Sequence, residues 1–392
     1  MRPLGEITLF TRGDSRRVTT WSGLPTGCAD ALEELGIVVH RVDTMPWRLV
    51  RKVLSAVDRL RQRIGIRDDL LYQVIYSRLE RQQVARVCRR YPSSQCNLFL
   101  TYSFTSHGLS HLPAVHYCDQ CFAQVVESRG GGLSRGEKRR LTEEEEALGT
   151  SDLILSTNRH GVEFLKSHYG FGNVFSEAVG GITQTKCGGE ALSGGPLRTR
   201  TRSVLFVGSS VEERGLDVLL EALVIFNHTA ETGYKLDVIG FEAGAVPGDW
   251  PDTTWHGRLD RSRPDEAQLF SRLMEQAKMF VLPSRSGPPA RAMVEAQLAG
   301  TPVIVTNVWG TDEYVQDGRT GLMLDAPTPE AVCEAMRRID ADPALWQEIS
   351  SAGHESAMRF SWQRAAVTIA EQIEHAIQRA NASKRQRRAV GG

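Results

Sequence analysis

KMFVLPSRSGPPARAMVEAQLAGTPVIVTN, residues 278–307, is the stretch whose reading decides the fold. Met279 to Leu282 form a short apolar run with strand character, and Pro283-Ser284-Arg285-Ser286-Gly287 break it. Pro288 and Pro289 suit a helix start, where the first amides need no intrahelical partner. Ala290, Met293, Val294 and Leu298 recur at helical spacing and predict one buried face. Gly300 ends the helix, and Thr301-Pro302 leads into a second strand, Val303–Thr306. The unit predicted is strand–loop–helix–strand in a parallel sheet. Its loop and helix N-terminus lie at the carboxyl edge of the strand, where open α/β sheets bind ligands and where free amides favour phosphate. Glu295 is placed one turn into the helix, on the side away from the apolar stripe. It either accepts hydrogen bonds from ribose hydroxyls or forms an exposed i,i+4 ion pair with Arg291.

Outward from this stretch, the 392-residue chain is long enough for two domains. Its 47 basic and 47 acidic residues balance, so bulk charge calls for neither nucleic acid nor a membrane as an obligatory partner. No run of apolar residues is long enough to span a bilayer, and MRPLGEITLF lacks the apolar core of a secretory signal. Seven scattered cysteines argue against a disulfide framework and for a reducing, cytoplasmic setting. Cys118 and Cys121 make one CxxC, with no second pair to complete a zinc site.

The N-terminal half begins strand, loop, helix, strand: Glu6–Phe10, a polar loop, Leu24–Leu35, then Ile37–Val42. That order is typical of a doubly wound domain. Residues 47–63, WRLVRKVLSAVDRLRQR, predict an amphipathic helix with six basic residues against one acidic. Trp47, Val50, Leu54, Val57 and Leu60 are expected on its apolar face. The basic side marks either a solvated domain helix or a peripheral membrane contact. A helix at about 69–90 follows, then strands Leu98–Tyr102 and Ala114–Tyr117, a charged helix over 137–148, strand Asp152–Ser156 and helix Asn158–Tyr169. The Gly-rich segment 183–202 reads as a linker, and SVLFVGSSVEERGLDVLLEAL opens the second domain.

The stretch PSRSGPPARAMVEAQLAGTPVI, with TNVWGTDEYVQDGRTGLML after it, resembles the donor site of the retaining, family 4 glycosyltransferases of GT-B fold. Their pattern is roughly PS-x-x-E-x-F-G-x-x-x-x-E-A-x-A-x-G-x-P-V-I. Of the family's E-x7-E pair only Glu295 is present, since the first position is Gly287. The resemblance extends to FVGSSVEERG, where relatives carry an Arg and a Lys that clamp the diphosphate; here these positions hold Ser209 and Arg214. It implies an α/β architecture of two Rossmann-like doubly wound domains facing across a cleft. It further implies that residues 1–182 form the acceptor domain, 203–359 the donor domain and 360–380 a helix returning to the first domain, and 381–392 are expected to be a disordered basic tail.

On that resemblance the donor is a nucleotide-diphosphate sugar. Ser209, Arg214, Gly257, Arg258, Gly287, Pro288, Pro289, Ala290, Arg291 and Glu295 are its expected contacts. Asp119 and His116, at the end of a strand where relatives carry a polar pair, are expected beside the transferred sugar, with Arg214 sharing the catalytic work. Trp21, Ser22 and Gly23 occupy the loop near the acceptor. Arg291, or else Arg285, is expected to replace the charge lost at Ser209. No metal or other cofactor is implied, and the acceptor stays open among glycans, lipids and natural products. The rival reading is a degenerate sugar-nucleotide-binding partner, because Gly287 and Ser209 both depart from the pattern.

Overall fold

A computed structural model of the chain describes residues 4–63, 70–173, 186–187, 190–191, 200–230 and 233–390. The chain divides into two compact units, residues 1–179 with 365–392 and residues 180–364. The predicted domain end at Gly180–Ile182 lies outside the described residues.

The first unit carries a parallel five-stranded sheet, order β2-β1-β3-β4-β5, of β1 (Glu6–Thr11), β2 (Val38–Asp43), β3 (Asn97–Phe99), β4 (Ala114–Cys118) and β5 (Leu153–Ser156). Around it run α1 (Leu24–Glu34), α2 (Arg48–Arg63), α3 (Leu70–Arg90), α4 (Phe122–Arg129), α5 (Arg135–Gly149) and α6 (Arg159–Tyr169). β3 and β4 are buried throughout, as strands covered on both faces must be.

Helix α2 departs from expectation. Its described side chains include none that is buried, and Trp47, just before it, is 80% exposed. Leu49, Val53, Val57 and Leu60 all face solvent, while Val50 and Leu54 are half-buried. The apolar face predicted from Trp47, Val50, Leu54, Val57 and Leu60 is therefore split. Spacing alone shows that a helix has a stripe, and only the packed neighbours show which side they cover.

Two short strands, β6 (Lys186–Cys187) and β7 (Glu190–Ala191), pair within the predicted linker. Its last residues are part of the second unit: Thr201 donates its amide to the Gln276 carbonyl at 2.8 Å. That unit holds a parallel six-stranded sheet, order β10-β9-β8-β11-β12-β13. Its strands are β8 (Ser203–Val207), β9 (Lys235–Ile239), β10 (Thr253–Trp255), β11 (Met279–Leu282), β12 (Val303–Thr306) and β13 (Leu322–Leu324). The helices are α7 (Val211–Arg214), α8 (Leu216–Ala230), α9 (Pro264–Gln276), α10 (Arg291–Leu298), α11 (Pro329–Ala341) and α12 (Pro343–Ala357). Val204, Phe206, Phe226, Phe280, Met293, Val303 and Ile304 lie in one continuous core.

The final helix, α13, runs Trp362–Val390 and joins the first unit from Ala365 onward. Ala366, Ile369, Ile373 and Ala376 are buried at helical spacing, and Glu374 accepts the Leu4 amide at 2.9 Å. The disordered tail expected at 381–392 is corrected over 381–390, which continue this helix. Ala, Lys, Arg and Gln are strong helix formers, and cations in the last turns complement the helix dipole.

Candidate active site

The order of the six strands reverses between β8 and β11, so the loops leaving these two strands flank the switch point of the sheet. Leaving β8, the chain makes the single turn α7 and then Gly215, whose φ of +71° suits glycine. A Cβ there would collide with the Pro283 carbonyl, so glycine lets the two loops touch. They are further joined by backbone and ionic bonds. The Glu213 carbonyl accepts the Arg285 amide at 2.8 Å, and Arg285 forms a two-pronged pair with Asp217 at 2.7 and 2.8 Å. Arg285 is thus committed to fastening the loops, which corrects its expected role as a substitute phosphate ligand.

Arg214 lies at the centre of this junction. Its Nη1 donates to the Pro288 carbonyl at 3.0 Å, so the guanidinium rests on the loop that precedes α10. Gly287 adopts a φ of +91°, and a Cβ on it would come 3.5 Å from Arg214 Nη2. The residue that replaces the family glutamate is therefore directly beside the cation that replaces the family lysine. Ser209 is exposed on the β8 loop and Ser210 caps α7, accepting from the Glu213 amide.

Helix α10 begins at Arg291, after Pro288 and Pro289, and its N-cap Ala290 supplies no side-chain acceptor. First-turn amides are left to other partners, which makes this end suited to an anion. Arg291 is half-buried there. On the same loop the Ser284 hydroxyl, on a residue only 3% exposed, has no hydrogen-bond partner among the described residues.

Glu295 differs from the exposed ion-pair reading of it. The helix is buried on every side from Ala292 to Leu298, and Glu295 is 3% exposed. Its Oε1 accepts from Arg261 Nη1 at 2.9 Å, and that guanidinium stacks over Phe270 at 4.3 Å. The exposed pair expected with Arg291 is thus corrected to a buried one with Arg261. The cause is the depth of a helix wedged between β11, β12 and α12, which leaves no solvated face for a carboxylate. Sequence reading missed Arg261, thirty-four residues upstream, because no local spacing links it to the helix.

Gly257 follows β10 with a φ of +64°, and a Cβ on it would strike the Glu242 carboxylate. Arg258 beside it is exposed.

In the first unit, His116 is inside the core. It stacks on Phe99 at 4.9 Å, and its Nε2 donates to the Phe104 carbonyl at 2.9 Å. A carbonyl only accepts, so Nδ1 is the bare nitrogen and takes the Ser151 hydroxyl at 2.7 Å. Burial pushes its pKa down to about 4. A fully buried, neutral and saturated imidazole cannot reach a substrate, which corrects its expected catalytic place. Asp119, one residue past β4, is half-exposed and accepts from Cys118 Sγ at 3.5 Å. The following turn is held by Glu144, buried, which accepts the Phe122 and Ala123 amides at 2.6 and 3.0 Å and the Tyr169 hydroxyl at 2.8 Å. That role was hidden in the run EEEE, whose members look alike in sequence. After β1, Trp21 has a φ of +46° and Gly23 a φ of +88° at the N-cap of α1.

Among the described residues no helix is long and apolar enough to cross a membrane.

The fold is that of the GT-B glycosyltransferases. Residues 201–342 match the family described as glycosyl transferases group 1. It is 25% identical over 398 residues to D-inositol 3-phosphate glycosyltransferase of Arthrobacter sp. (strain FB24), covering 95% of this chain and 86% of that one. Sucrose-phosphate synthase from Thermosynechococcus elongatus shares the fold with a TM-score of 0.65 at 17% identity, over 95% of this chain and 98% of that one. Anabaena Alr3699/HepE, solved in complex with UDP and glucose, superposes with a TM-score of 0.63 at 13% identity, over 95% of this chain and all of that one, 100%.

Proposed function

We propose that the protein transfers a glycosyl group, with retention at the anomeric carbon, from a nucleotide-diphosphate sugar held at the β8–β11 switch point. The observation that carries this is Arg214, a cation seated on the Pro288 carbonyl beside an uncapped helix N-terminus. Cleavage of the sugar–phosphate bond leaves negative charge on the diphosphate, and a preplaced guanidinium with helix amides stabilises charge as it develops. Arg291, in the first turn of α10, adds the second positive charge that Ser209 does not provide. This set supplies compensation without calling on a metal. Glu295 takes the ribose hydroxyls through the carboxylate edge turned from Arg261. Asp119 is the residue of the first unit assigned to the transferred sugar, and the loop at Trp21, Ser22 and Gly23 to the acceptor.

That the relative carrying UDP and glucose has the same fold supports a nucleotide-sugar donor. The acceptor class, glycan, lipid or natural product, is left to experiment. Free cysteines, most of them buried, support a reducing cytoplasmic setting. The test is a panel of nucleotide sugars, scored for release of nucleoside diphosphate and for a rise in Tm. Release that depends on Arg214 supports the reading. Binding without release from any donor and acceptor pair would instead favour the degenerate sugar-nucleotide-binding protein.

A further inference from the structure

The outward face of α2 has no role in the donor site. Leu49, Val53, Val57 and Leu60, spaced four, four and three residues apart, form a single stripe along the helix, and they are 65, 55, 41 and 61% exposed. Trp47 stands at its N-terminal end, 80% exposed. Arg48, Lys52 and Arg59, all exposed, fall together on one flank of that stripe. In a chain whose charges cancel as a whole, residues 47–63 hold six basic residues and one acidic.

We propose that this face binds the surface of a bilayer containing anionic lipid, with the helix lying in the interface plane. Charge selects the occupant. An aliphatic stripe beside basic residues matches the boundary between acyl chains and anionic headgroups, and a terminal tryptophan is suited to the same depth. A second copy of the same face would bring two basic flanks together and repel. A nucleic acid would satisfy the arginines but leave the stripe in water.

The inference is independent of the donor-site reading and stands or falls separately. The test is co-sedimentation of the full chain with vesicles of phosphatidylcholine alone and of phosphatidylcholine mixed with phosphatidylglycerol, at low and high salt. Binding is expected only to the anionic vesicles and is expected to weaken with salt. Replacing Arg48, Lys52 and Arg59 together by glutamine is expected to lower binding about a hundredfold, from roughly fivefold for each cation at an anionic surface. Replacing Leu49, Val53 and Leu60 by serine is expected to lower it at least about tenfold. The serine variant is expected to stay folded and to keep the parent's nucleoside diphosphate affinity, since more than half of each of these side chains is exposed. Equal binding to neutral vesicles, or none to either, overturns the proposal. So does self-association of the parent that the serine substitutions abolish, because the occupant would then be a second copy.

Discussion

At Glu295, the proposed ribose contact and the stability of the fold rest on one carboxylate. Removing it by Glu295→Ala takes this partner from the half-buried Arg261, and about 3–5 kcal/mol, the cost of breaking a fully buried pair, is the upper bound for the loss. Glu295→Gln keeps the shape and a hydrogen-bond acceptor for Arg261 while removing the charge. We expect the glutamine variant to stay folded and to weaken nucleoside diphosphate binding by about 1.5–3 kcal/mol, the range for a hydrogen bond to a charged group. Unchanged affinity by calorimetry would leave Glu295 as a structural anchor alone. Arg214→Ala tests the other side of the site. It is expected to lower turnover more than it weakens binding of a nucleoside without phosphates, because the interaction grows as the leaving group charges. Equal losses for the two would remove it from the chemistry. His116 yields a prediction in pH. Its pKa falls from 6.5 unfolded to about 4 folded, so between those values the unfolded chain binds more protons. Stability therefore rises with pH across that window and is lost on acidification, by on the order of 3 kcal/mol below it. His116→Gln, measured by denaturant titration from neutral to acid pH, is expected to flatten that part of the profile.

Among elements, α10 is held at both ends. Its N-terminus is positioned by the contact of Gly215 with Pro283 and by Arg214 on Pro288. Its C-terminus is capped by Arg200, which donates to the Ala299 and Gly300 carbonyls at 2.9 and 3.0 Å. The same guanidinium reaches the Thr301 hydroxyl at 2.8 Å and the Glu275 carbonyl at the end of α9, so one side chain ties two helix ends together. Arg200→Ala takes this donor from the buried Ala299 carbonyl and the half-buried Glu275 carbonyl, while Ser350 still donates to Gly300, and a buried group left unpaired costs about 1–3 kcal/mol. We expect a Tm loss of several degrees, and Arg200→Lys to restore only part, since an ammonium lacks the planar fork. Full stability in Arg200→Ala would show the caps to be replaced by water at no cost.

For the whole molecule, α13 is what makes the first unit discontinuous in sequence. Ile369 and Ile373 are fully buried in that unit, and a buried isoleucine contributes about 1.5–3 kcal/mol. Ending the chain at Arg364 is expected to unfold the first unit while the second, complete without the helix, still binds nucleoside diphosphate. Loss of that binding with retention of the first unit's cooperative transition, followed by calorimetry, would reverse the assignment.

Periodicity and turn chemistry by themselves determined most of the architecture. Strand–loop–helix–strand at 278–307 and the strand, turn and helix that open the second domain were legible, because each is a relation among residues close in sequence, and the Glu295 motif was legible through the resemblance. Tertiary structure decided the rest, and for one reason: burial and partnership join residues far apart in sequence. His116 looked like a strand-end catalytic group until Phe99, Phe104 and Ser151 enclosed it. Glu295 looked solvated until Arg261 and the packed faces of α10 were in place. Arg285 looked like a phosphate ligand until Asp217 claimed it. In α2 the stripe was visible in sequence, but only the packing of its neighbours showed that the stripe turns outward, toward whatever the protein meets.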